Sequence, residues 1–88
     1  MKIHEAPHGI NLVVETDKNV LYIGRFDETN GFEVLMHDAD VHTLESGEDA
    51  EAYIQQAAKY GVAVTHRDVT FDTAGITRVR LLGDIPKD

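Results

Sequence analysis

The densest grouping of side chains that could do chemistry is Met36-His37-Asp38-Ala39-Asp40-Val41-His42. In an extended strand alternate residues share a face, so Asp38, Asp40 and His42 are expected on one side and His37 on the other. Two carboxylates and an imidazole on one face suit a divalent metal such as zinc, manganese or nickel. His66 and Asp68, in a second polar cluster, could reach this face from across a sheet. The candidate metal ligands are therefore Asp38, Asp40, His42 and His66. The plainer reading is a solvated strand face in an acidic protein. Aspartate is also a poor strand residue, so Asp38-Ala39-Asp40 could equally be a loop with no shared face. The spacing matches no specific metal motif, and no other cofactor is implied.

His66-Arg67-Asp68 reproduces the tripeptide of the protein-kinase catalytic loop, but no asparagine stands five residues after the aspartate and no glycine-rich loop precedes it. A hydrogen-bonded His–Asp pair steadying a bulge accounts for it better than acid–base chemistry. The one serine, Ser46, is wanted as a helix cap, and there is no cysteine, so nucleophilic catalysis lacks a nucleophile. The glycines are scattered and form no phosphate-binding loop. Catalysis is not the expected function.

Eighty-eight residues make one domain, spanning 1–88, and 42% hydrophobic content is enough for a core. The net charge is −8, and it is uneven. Residues 1–51 carry twelve acidic and three basic side chains, whereas residues 52–88 carry four and five. A nucleic-acid partner needs basic groups to replace counterions, and Arg67, Arg78 and Arg80 alone do not suffice. No apolar run approaches the roughly 18 residues of a membrane span, and the N-terminal residues lack a signal-peptide core. A cytoplasmic protein, with neither membrane nor nucleic acid as partner, is the expectation.

The elements that must position these groups read as β-β-β-α-β-β, an α+β fold. Ile10–Glu15, Val20–Phe26 and Phe32–His37 alternate as strands, the third able to run on toward Leu44. They are separated by Asp17-Lys18-Asn19 and by a turn over Asp27–Gly31. The apolar stripe Ala50, Tyr53, Ile54, Ala57, Ala58 predicts a helix over 47–60, with Ser46 as N-cap and Gly61 as its left-handed stop. Val62–Thr65 should begin a fourth strand. Its apolar parity conflicts with Val69 and Phe71, so a bulge or break is expected near residues 66–68. Ile76–Leu82 forms the last strand after a turn at Asp72–Gly75, and residues 2–5 could add another. His4 and His8, flanking Pro7, read as a mobile arm.

One helix of fourteen residues, about 21 Å long, covers only part of five mostly antiparallel strands. Yet Val20, Tyr22 and Phe26 lie on one face of the second strand and Leu21 and Ile23 on the other. Either a strongly twisted sheet curls into a partial barrel, or the uncovered face meets another subunit. The leading functional expectation is a non-catalytic protein-interaction or regulatory module, self-associating as a homodimer through a sheet face. The alternative is a small metal- or ligand-binding domain using residues 37–42 with His66.

Overall fold

Leu12, Val13 and Val14 are consecutive and all fully buried, which requires a strand covered on both faces. The computed structural model describes residues 1–87, and it supplies that cover. Strands β1 (Asn11–Thr16), β2 (Val20–Thr29) and β3 (Glu33–Thr43) form an antiparallel meander. Helix α1 (Ala50–Tyr60) follows, then β4 (His66–Asp72) and β5 (Ile76–Leu81). The sheet runs in the order β4-β3-β2-β1-β5, every pair antiparallel. The expected α+β order is the observed one. Among the described residues no helix is long and apolar enough to cross a membrane.

The turns follow from their residues. Asn19 takes φ 60°, a value asparagine tolerates, and Thr16 brackets the turn by hydrogen-bonding Val20 through its hydroxyl. At the second turn the Asn30 side chain accepts from the amides of Phe32 and Glu33 while Gly31 sits at φ 94°. β2 runs on to Thr29 rather than stopping at Phe26, because a register shift between Phe26 and Glu28 absorbs Asp27 as a bulge within the strand.

Both apolar faces are buried within the chain. On one, Val13, Leu21 and Ile23 meet Ile54 and Ala57 of α1, with Leu82 and Ile85 beyond β5. On the other, Leu12, Val14, Phe26, Val34, Met36 and Phe71 pack on one another under Ile3 and Ala6. No helix is needed there, because the sheet curls. Tyr22 of β2 stacks on Phe71 of β4 with ring centroids 3.7 Å apart, although β3 lies between their strands. Their partners on β3, Val41 and Val34, are seven positions apart, so only strong curvature brings the rings together. The edge strands β4 and β5 are joined by the short 3-10 turn Thr73–Gly75, yet they do not pair, and the sheet stays open rather than closing as a barrel. The apolar surplus that pointed to a partner subunit is thus covered internally.

Several boundaries differ from expectation for local reasons. Ser46 does not cap the helix. Gly47 takes φ 82° and residues 45–48 form a turn, so the helix starts three residues later, with the Asp49 carboxylate accepting from the Ala52 amide. Gly61 stops it at φ 95°, as expected. Residues 62–65 are not strand; the parity conflict vanishes because Val62 and Val64 precede β4, and pairing of β3 with β4 shows no register shift at residues 66–68. Residues 3–5 form a 3-10 turn, not a strand. The N-terminal segment is no loose arm: the Gly9 amide donates to the Phe26 carbonyl at 2.7 Å, and His8 Nδ1 lies 2.8 Å from the Asp27 carbonyl oxygen.

Candidate functional site

A bulge in β3 decides where the candidate residues point. Ile23 pairs with Asp40 and Arg25 with His37, leaving Gly24 opposite Asp38 and Ala39. Only glycine fits there, since a Cβ would stand 2.6 Å from Ala39 Cα. The extra residue, Asp38, takes φ 47°. Past it the alternation shifts by one position: Ala39 joins the inner cluster, and Asp40 and His42 turn to the helix-covered side. The expected shared face of Asp38, Asp40 and His42 is therefore broken at Asp38. His37, expected opposite, pairs by register on the same side as Asp40 and His42.

Asp40 is 4% exposed, the one buried charged residue in the sheet. Its carboxylate accepts a short hydrogen bond from the Tyr53 hydroxyl, and among the described residues that is its only one. Burial, with Asp40 adding to it, pushes the Tyr53 hydroxyl up to about 12, so the phenol keeps its proton at neutral pH. The Tyr53 ring lies flat against His42, centroids 3.8 Å apart. His42 Nε2 in turn sits 2.7 Å from Glu48 Oε2. Glu48 is held below the usual carboxylate range, first by the Glu45 amide and then by His42. Asp40, Tyr53, His42 and Glu48 thus form one connected polar seam between β3 and the start of α1.

Beside this seam opens a cleft of about 190 Å³, bounded by Asp40, Tyr53, Gln56, Ala57, Tyr60, Gly61 and Ala63. None of these is basic. Tyr60, 76% exposed, stands at the rim, with the Lys59 ammonium 5.4 Å from its ring centroid. Asp40 is the one charged residue in the cleft's lining.

The other predicted residues lie apart from it. Asp38 pairs with Arg25 at 3.2 Å on the surface. His66 turns its Nδ1 to the Thr65 hydroxyl at 2.9 Å. Asp38, Asp40, His42 and His66 therefore do not gather into one ligand set. Among the described residues no group of three or more histidine, aspartate or glutamate side chains is arranged to hold a metal ion. The expected His66–Asp68 pair is also replaced, since Asp68 reaches His37 instead.

His37 is clamped by two carboxylates: Nε2 is 2.6 Å from Asp27 Oδ2 and Nδ1 is 2.6 Å from Asp68 Oδ1. These bonds, Asp27 first, raise its pKa above the ordinary value. A second charged junction joins Arg80 of β5 to Glu51 of α1 at 2.5 Å and to Glu15 of β1 at 3.0 Å. Both tie strands or layers together and neither adjoins the cleft.

The apolar stripe of the helix includes Tyr53 but does not point to it as the partner of Asp40, nor to Glu48 as the partner of His42. The available signal was the helix period, which puts Tyr53 one turn after the cap on the face that meets the sheet. No family model matches the chain, and no curated protein matches it.

Proposed function

We propose that this domain is a non-catalytic ligand-binding module whose site is the cleft between Asp40 and the last two turns of α1. The observation that carries the reading is Asp40: a buried carboxylate with a single hydrogen-bond donor, beside an apolar cleft. An ionised carboxylate offers about four acceptor sites. Tyr53 fills one, and neither Asp40 oxygen is enclosed without a partner among the described residues, so the remaining sites are open to water or a ligand. A bound group that donates to it would take the place of water there. Binding fits better than catalysis, since Tyr53 holds its proton at neutral pH and its hydroxyl is committed to Asp40. The test is amide chemical-shift mapping of the labelled protein with a small-fragment library. Shifts confined to Ala57, Gly61 and Ala63 support the cleft. No shift at these amides with any fragment at about 1 mM, the scale of the weakest useful affinity, overturns it.

A second reading, self-association, rests on the sheet edges rather than on a sheet face. Among the described residues β4 pairs with no strand but β3, and β5 with none but β1. Each leaves one edge without a strand partner, although the Met1 amino group donates to the Val79 carbonyl of β5. Light scattering at tens of micromolar tests it, and a monomer there counts against a homodimer.

A further inference from the structure

Resting on the reading of the cleft as a ligand site, we infer that its ligand is a small organic cation, a primary ammonium carried on a short apolar chain. Three observations converge on that class.

The first is the recognising group. Asp40 is 4% exposed and its carboxylate has one donor, the Tyr53 hydroxyl, among the described residues. An ammonium brings three donors and no acceptor, matching what the carboxylate lacks, and it cancels the buried charge as a neutral donor cannot. A carboxylate or phosphate ligand would set like charges together with no basic side chain in the lining to offset them.

The second is the wall. Beyond Asp40 the cleft is lined by Ala57, Gly61, Ala63, the tyrosines 53 and 60 and one neutral polar side chain, Gln56. Alkyl surface packs against the small apolar groups, and the tyrosine rings add a surface that tolerates a cation. Lys59 already sets its own ammonium over the Tyr60 ring at the rim, 5.4 Å from the centroid. The third is size and field. A cleft of about 190 Å³ lies below the roughly 300–1,000 Å³ of drug-sized sites, which suits a small ligand. A chain of net charge −8 draws cations toward its surface.

The experiment titrates three near-isosteric probes into the labelled wild-type protein: 3-methylbutylamine, 3-methylbutan-1-ol and 3-methylbutanoate. Binding is read at the amides of Ala57, Gly61 and Ala63. The expected result is binding of the amine at least about tenfold tighter than the alcohol, as charge-assisted hydrogen bonding to a buried carboxylate implies, with the acid weakest. In Asp40→Asn the amine should lose about tenfold or more while the alcohol is little changed. Alcohol or acid binding as tightly as the amine would overturn the cation inference and leave the cleft reading standing. No shift at the three amides with any probe would overturn the cation inference, and the fragment library then decides the cleft reading separately. The amine–alcohol comparison uses wild-type protein alone, so it decides the matter even where Asp40→Asn fails to fold.

Discussion

The ring of His42, on β3, lies within 8° of parallel to the ring of Tyr53, on α1, and the two are 3.8 Å apart. This contact fixes the helix at its first turn against the strand that carries Asp40. With the ring held there, the Tyr53 hydroxyl is committed to Asp40 and the Glu48 carboxylate to His42. The polar seam is therefore a positioning device for the helix as well as the wall of a cleft.

Removing only the hydroxyl should show what that device contributes. Tyr53→Phe keeps the ring stack and leaves the Asp40 carboxylate buried without its donor. The expected loss is about 2 kcal/mol, the scale of an unsatisfied buried polar group. Urea unfolding of the two proteins measures it, and equal midpoints would mean that water replaces the hydroxyl at no cost.

The bulge is the more demanding element. Gly24→Ala places a methyl 2.6 Å from Ala39 Cα and 2.7 Å from its Cβ, atoms that cannot swing aside. Overpacking of this kind costs about 1–3 kcal/mol. Alanine is otherwise the better strand residue, so an intrinsic-propensity view predicts the opposite sign. Thermal unfolding separates the two, and shifted amides at Asp40 and His42 would show that the bulge itself has moved.

That same bulge marks the limit of what could be read from residue order. The three meander strands, the helix and its glycine stop follow from local pattern, and the structure keeps them in that order with some of their ends displaced. Whether Asp38 or His37 shares a face with Asp40 depends on one inserted residue. Its cause is a contact between Gly24 and Ala39, fifteen positions apart, and no strand period reveals it. The clamp on His37 is hidden for the same reason, since Asp27 and Asp68 reach it from β2 and β4. The curl was open to expectation only as one of two alternatives, because apolar residues on both faces of a strand say that both are covered and not by what.

The helix cap offers a direct contrast. Asp49→Ala removes the side chain that accepts from the Ala52 amide and should cost about 1 kcal/mol. Ser46→Ala, at a residue outside the helix and exposed, should change stability by less than about 0.5 kcal/mol. Paired chemical denaturation curves read both. A larger loss for the serine would return the helix start to residue 47.

His37 gives the fold a pH dependence whose direction follows from its partners. Its pKa is raised in the folded protein by Asp27 and then Asp68, so the folded chain holds a proton that the unfolded chain releases near the ordinary histidine value of about 6.5. Such a group contributes in full below that value, and its contribution is lost as pH rises through the raised folded pKa. The other titratable and charged groups around the clamp are His8, 3.4 Å from Asp27, and the Arg25–Asp38 pair beside it in register. The acid side has the opposite sign. Glu5, Glu48 and Glu51 are all held below the usual carboxylate range, so their contributions are present at neutral pH and fade as pH falls through those lowered values. Stability should therefore decline both in acid and above about pH 6.5. His37→Gln removes the titrating group while keeping a donor. Its unfolding free energy should fall below that of wild type at about pH 6 and converge with it as pH rises through the raised folded value, where the clamp of the parent loses its proton. Urea unfolding across that range reads the difference, and a constant gap between the two proteins would show that the clamp holds β2, β3 and β4 together without its charge.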